Sequence, residues 1–179
     1  MPPNPNPYHP FGKSLAFAIK LIIKYSDGTT EEVTADETFK THPHMVCTSN
    51  VYGSEFIDGR LRLTNWNTIN FSDDNWPHAS IIPKEEHPKG RLVNQDQPPI
   101  RIIRTYDGQL IHSVNNRRIF DLSQNISAIL ELEVKGKTGD KVIIYPAEKL
   151  DEKGDVDQMA KNWMLIDNVI TYVVGKDDE

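Results

Sequence analysis

An all-β domain, two antiparallel sheets packed as a sandwich or jelly roll with minimal helix, is the fold class this sequence predicts, and three observations predict it. The odd positions Leu15, Phe17, Ile19, Leu21, Ile23 and Tyr25 are all apolar while Lys20 and Lys24 fall on the even face, the period-two pattern of a strand with one buried side. Leu130, Leu132 and Val134 alternate with Glu131 and Glu133 in the same way. Short apolar runs recur between turn residues along the chain and no long amphipathic helix interrupts them, as expected of sheets that bury alternating faces against each other.

Taken in order, residues 1–12 form a Pro-rich lead-in, since Met1 to Pro10 holds five prolines and two asparagines and cannot enter a central strand. Leu15 to Tyr25 is a long strand. Asp27-Gly28 is a hairpin turn, because glycine supplies positive φ, and Thr29 to Val33 returns. From Thr41 to Pro99 the chain is broken by Pro43, Gly53, Gly59, Pro77, Pro83, Pro88 and Pro98-Pro99, which implies long loops. Ile100 to Ile103, Ile111 to Val114 and Ile119 to Leu122 are further strands. Leu130 to Val134 and Val142 to Tyr145 form a hairpin around the polar turn bracketed by Gly136 and Gly139. Gln158 to Ile166 is one short helical turn or part of a loop, Val169 to Val174 is the last strand, and 177–179 is an acidic tail. One module over 13–176 is expected; a division near Gln95 would leave two small units with meagre cores.

Composition narrows the function. With 37% hydrophobic and 26% charged residues the chain is an ordinary globular one, and its net charge of −6 without a Lys/Arg track disfavours nucleic acid and anionic membranes as partners. No apolar run reaches the roughly 20 residues of a membrane span, and the start lacks the apolar core of a signal peptide. The single cysteine, Cys47, excludes an internal disulfide and is expected to be a small buried side chain. Nucleotide-binding and α/β-hydrolase motifs are absent.

The best constellation is Glu55, Asp58 and Arg60 among Gly53 and Gly59. On an extended segment Asp58 and Arg60 share a face with Phe56, and Glu55 faces away. Carboxylates beside glycine carbonyls suit a hard cation such as Ca2+, which can itself ligate sugar hydroxyls; an Asp58–Arg60 ion pair is the structural alternative. Trp66, Trp163, Tyr52 and Tyr106 could stack on a sugar ring, or serve as core and interface residues. Ser72 to Trp76 (SDDNW) reads as a turn with Trp76 as its anchor rather than as paired catalytic acids. Asp121 with Gln124-Asn125 reads as a buried hydrogen-bond network or an interdomain clasp. His42, His44, His78 and His87 lack zinc-like spacing.

Ordered blocks carry a resemblance. These are YSDGT (Tyr25 to Thr29), ADETFK (Ala35 to Lys40), NVYGSEFIDGR (Asn50 to Arg60), NFSDDNW (Asn70 to Trp76) and QPPIR (Gln97 to Arg101). Downstream follow FDLSQNI from Phe120, VKGKTGD from Val134, AEKLDEKGD from Ala147 and the closing Tyr172 with Gly175. In order and spacing they resemble the β-rich region preceding the catalytic domain of bacterial α-L-rhamnosidases. Three blocks depart: DLSQN stands where the family shows D-F-G-Q-N, Phe39 stands where it shows Trp, and Gly59 follows Asp58.

The resemblance implies a galactose-binding-like jelly roll from a longer enzyme that hydrolyses terminal α-L-rhamnosides. It implies catalytic acids in a downstream α/α barrel, with none expected in this chain, and, because it begins in mid-protein, an artificial boundary expected at Met1. It implies a noncatalytic module holding a rhamnose-containing glycan, with Asp58, Glu55, Arg60 and Trp66 as sugar-binding residues. A calcium ion would be held by Asp58, Asp27 and the carbonyls of Gly53 and Pro98 (or Pro99). Where a binding module carries Asn after the aspartate, Gly59 offers no side chain. The alternative is a structural module that packs against neighbouring domains of the enzyme. The compartment stays open, a periplasmic or extracellular parent fitting equally.

Overall fold

The computed structural model describes residues 16–50, 54–87, 89–91, 93–114, 116–158 and 168–176. It is all-β, of the sandwich class, and among the described residues its helical content is two 3-10 turns, Gly59–Leu61 and Lys84–Glu86. Contacts divide the chain into two compact units, Met1–His42 with Asn70–Pro98 and Pro43–Ile69 with Pro99–Glu179.

In the first unit, β1 (Lys20–Lys24) pairs antiparallel with β2 (Thr30–Thr34) in the register Lys20↔Thr34 to Lys24↔Thr30. Gly28 turns the hairpin at φ 86. Asp27 Oδ1 locks the turn by accepting from the Thr29 N–H at 2.9 Å and the Thr29 hydroxyl at 2.7 Å. The first strand is shorter than its alternation predicts because its partner ends: after Thr34 the Ala35 N–H donates to the Ile19 carbonyl, and then Asp36 Oδ1 captures the Thr38 N–H and hydroxyl and turns the chain away. Phe17 therefore precedes the strand and meets the Phe39 ring at 6.4 Å.

The SDDNW loop belongs to the same unit and is a turn with an aromatic anchor. The Trp76 N–H donates to the Asp73 carbonyl at 2.9 Å, and the Trp76 ring lies 5.5 Å from Phe71 and 4.8 Å from His42. Lys40 Nζ donates to both the carbonyl and the carboxylate of Asp73, at 3.0 and 2.9 Å.

The second unit is built on a four-stranded sheet of β3 (Val46–Ser49), β4 (Glu55–Asp58), β7 (Lys141–Ile144) and β8 (Ile170–Val173), ordered β3-β4-β8-β7. The β3–β4 and β7–β8 pairs are antiparallel, but β4 and β8 run parallel, with Glu55↔Ile170 through Asp58↔Val173 in register. A parallel pair cannot be closed by a hairpin, so this pairing joins segments far apart in sequence. The hairpin of β5 (Gln109–Val114) and β6 (Arg117–Asp121) is separate, with Asn116 at φ 62 in its turn. His112 and Arg117 tie that hairpin to the AEKLDEKGD loop: a ring nitrogen of His112 bonds the Gly154 carbonyl at 2.6 Å, and Arg117 Nη1 donates to both Asp155 oxygens at 3.1 and 2.9 Å. Ile119, Val173 and Val174 are the buried apolar side chains among the described residues.

Four expectations need correction. Leu130 to Val134 has the alternation of a strand but pairs with no described strand, so β7 finds its antiparallel neighbour in β8 rather than in a local hairpin. Ile100 to Ile103 likewise forms no strand, and Ile100 and Ile103 are almost fully exposed. Cys47 is exposed rather than buried, because it sits in the register shift between Val46 and Thr48 on an edge strand. Asp121, Gln124 and Asn125 are exposed, which removes the buried network and leaves the interdomain clasp as the expectation: Asp121 Oδ1 accepts from the Ser123 N–H, and Gln124 Nε2 donates to the Tyr106 hydroxyl. The lead-in over 1–12, the helical turn near Gln158 to Ile166 (apart from Gln158) and the tail over 177–179 lie outside the described residues, as do Gly53, Tyr52 and Trp163.

Candidate functional site

β4 ends at Asp58, and the reason is Asp58 itself. Its backbone is extended at φ −106, ψ 99, and its Oδ1 accepts from the Arg60 N–H at 3.1 Å, capping the 3-10 turn Gly59–Leu61. A short carboxylate that bonds the N–H two residues on is a turn-former. The same carboxylate then takes the Arg60 side chain, with Nε donating to Oδ1 at 2.8 Å and Nη2 to Oδ2 at 2.7 Å. This two-pronged geometry is the strong form of an Arg–carboxylate pair. It holds the Asp58 carboxyl below its ordinary value of 3.8, the Arg60 hydrogen bond being the largest cause, with burial working against it. Asp58 is 7% exposed, whereas the Arg60 side chain is 54% exposed. The turn therefore carries a buried anion to a solvent-facing guanidinium.

Gly59 explains itself by packing. A Cβ there would lie 2.5 Å from the Tyr172 hydroxyl, 2.7 Å from the Val173 carbonyl oxygen and 2.9 Å from the Gly175 nitrogen. The reciprocal holds at Gly175, where a Cβ would collide with the carbonyl of Gly59 and lie 3.1 Å from the Arg60 nitrogen. The two glycines let the backbone leaving β4 touch the backbone leaving β8, a close approach only side-chain-free residues permit. The residue whose missing side chain looked like a defect in a binding site is thus half of a backbone seam.

Beside this seam lies a shallow pocket of about 140 Å3 lined by Gly59, Arg60, Arg62, Thr64, Gly175 and Lys176. In a chain of net charge −6 it gathers three cationic side chains, all hydrogen-bond donors, with one hydroxyl. Such a lining suits ligand oxygens. Arg62, Thr64 and Lys176 were missed from sequence. Arg62 is one alternation beyond Arg60 and was open to notice; Lys176 arrives by the nonlocal β4–β8 pairing and carried no local signal.

The other expected site residues are placed separately. Glu55 opens β4, half-buried, opposite Ser49 on β3 and Ile170 on β8, and alternation puts it on the other face from Asp58. Trp66 is exposed in the loop after the 3-10 turn. Asp27 and Pro98 belong to the first unit, Asp58 to the second.

As a calcium set these residues fit poorly. Both Asp58 oxygens are engaged by one guanidinium, Asp27 Oδ1 is engaged by Thr29, and no group of three or more His, Cys, Asp or Glu gathers among the described residues. A hard cation wants six to eight oxygens without a competing positive charge. Among the described residues no helix is long and apolar enough to cross a membrane.

Comparison with known proteins gives the chain its relatives. Residues 3–104 match the family model of the alpha-L-rhamnosidase N-terminal domain, and residues 111–178 match that of the bacterial alpha-L-rhamnosidase concanavalin-like domain. An alpha-L-rhamnosidase of Formosa agariphila is 31% identical over 134 residues, covering 74% of this chain and 14% of the relative. One from Streptomyces avermitilis is 24% identical over 149 residues, covering 83% of this chain and 14% of its own length. Among solved structures, Streptomyces avermitilis alpha-L-rhamnosidase complexed with L-rhamnose shares the fold at TM-score 0.78 and 23% identity, over 90% of this chain and 16% of that one. The chain spans 14% of the length of these curated relatives.

Proposed function

Since the chain belongs to the alpha-L-rhamnosidase N-terminal domain family, we propose that it works as a noncatalytic accessory module of a longer α-L-rhamnosidase, holding terminal α-L-rhamnosyl units for a catalytic domain outside this sequence. The observation that carries the reading is one of coverage: 74% of the chain aligns with 14% of an alpha-L-rhamnosidase. The pocket at the Gly59–Gly175 seam is the proposed contact surface. Arg60, Arg62 and Lys176 donate to sugar hydroxyl oxygens, Thr64 donates or accepts, and exposed Trp66 offers an aromatic face outside the pocket lining. Asp58 holds Arg60 at the rim rather than touching sugar. A calcium-assisted form of this binding requires Asp58 to exchange the Arg60 guanidinium for the cation.

Titration of the chain with L-rhamnose by calorimetry tests the reading, with calcium added and again with chelator. The expected result is saturable heat at millimolar sugar, reduced several-fold in Arg60→Ala. Equal affinity in both buffers removes calcium from the account; loss with chelator and in Asp58→Ala assigns it to Asp58. No heat in either buffer replaces binding by the structural role, packing against neighbouring domains. Nitrophenol released from a nitrophenyl rhamnoside by the purified chain would overturn the noncatalytic assignment.

A further inference from the structure

We propose that Leu130 to Lys137 is a self-complementary sheet edge through which two copies of this chain pair antiparallel about Val134. The segment has the apolar alternation of a strand, yet among the described residues no backbone group from Ser127 to Lys135 is hydrogen-bonded, and Ser127 to Glu133 are all exposed. Leu132 stands 53% exposed. An unpaired edge of this kind is a template for another strand.

Charge selects the occupant. The odd face reads Glu131, Glu133, Lys135, Lys137. In an antiparallel pair with Val134 opposite its own copy, Glu131 faces the partner's Lys137 and Glu133 faces the partner's Lys135, and the two-fold axis repeats both contacts. A parallel in-register pair would instead set each charge against its like. The backbone agrees with this register. The Lys137 N–H already donates to Asp140 Oδ2 at 2.9 Å, and once the segment is drawn out as a strand its alternate N–H groups point to opposite edges. The edge left over is that of Leu132, Val134 and Gly136, the groups this register pairs. This pairing is independent of sugar binding.

One strand per copy buries less than the roughly 1,000 Å2 of a stable complex, so association is weak. Sedimentation velocity of the chain from about 10 μM to about 1 mM is expected to show molar mass rising toward twice the monomer. The pair Glu131→Lys with Glu133→Lys and the pair Lys135→Glu with Lys137→Glu are each expected to stay monomeric over that range. An equimolar mixture of the two is expected to form the heterodimer, which also shows that both variants are folded. Wild-type chain that stays monomeric throughout overturns the proposal. So does self-association that both variants retain, which would place the contact on an apolar face such as that of β1 and β2.

Discussion

The β4–β8 seam and the segment from Ser127 to Lys135 lie in the same unit and teach opposite lessons about strand-forming sequence. The seam carries a weak local pattern, a four-residue strand ended by Asp58 and a glycine, yet its parallel pairing joins β4 to the strand that leads into buried Val173 and Val174. The segment carries the cleaner alternation and finds no described partner. Alternation specifies which faces a strand would have. It does not specify a neighbour, and burial comes from the neighbour.

Substitution at the seam should give the largest effect. Gly175→Ala puts a methyl into the Gly59 carbonyl, and because backbone cannot rotate away as a side chain can, a loss of about 1–3 kcal/mol or more is expected, read as a lower urea midpoint at unchanged m. Gly59→Ala should act in the same direction. A midpoint equal to wild type for both would mean the two backbones do not touch.

Acid comes next. Asp27, Asp36, Asp58 and Asp73 are each held below their ordinary 3.8, respectively by the Thr29 hydroxyl, the Thr38 hydroxyl, the Arg60 side chain and the Lys40 ammonium. A carboxyl with a lowered folded-state pKa binds protons more readily when unfolded, so its stabilisation is complete above that ordinary value and is lost as pH falls through the folded one. The urea midpoint should therefore fall between about pH 5 and about pH 2, and part of the fall should vanish in Asp58→Asn. A midpoint flat with pH would contradict the hydrogen-bonded turns.

Arg60→Ala should cost less than either glycine change, since the exposed guanidinium can be replaced at Asp58 by water while the backbone cap from the Arg60 N–H survives. Leu132→Ser should be smallest, within about 0.5 kcal/mol either way, because the side chain is exposed in the isolated chain. A large loss there, measured at low protein concentration, would mean that the segment is packed and would erase the comparison.

Much of the fold was legible. The Asp27-Gly28 hairpin, β5 through β8 and the turn character of SDDNW follow from positive-φ glycine, β-branched runs and Asx chemistry, all local. The β4–β8 pairing was not legible, because parallel registry between distant segments leaves no local trace. Gly59 shows the cost to the site: judged alone it is a missing ligand, and only Gly175 across the seam gives it a purpose. The Asp58–Arg60 pair was readable as an alternative to calcium because a single glycine, Gly59, separates the carboxylate from the cation. One module over 13–176 remains the expectation for folding, and circular dichroism and tryptophan fluorescence should then report one coincident transition; two separated ones would divide the module along its contact units.

A rhamnosyl unit received in the seam pocket, as proposed, would leave its trace in chemical-shift mapping. Addition of L-rhamnose to isotope-labelled chain is predicted to move the amide signals of Arg60, Arg62, Thr64 and Lys176 in a saturable way, with Gly28 and Gly139 unmoved. Shifts absent at saturating millimolar sugar, or confined to residues away from Gly59 and Gly175, would contradict it.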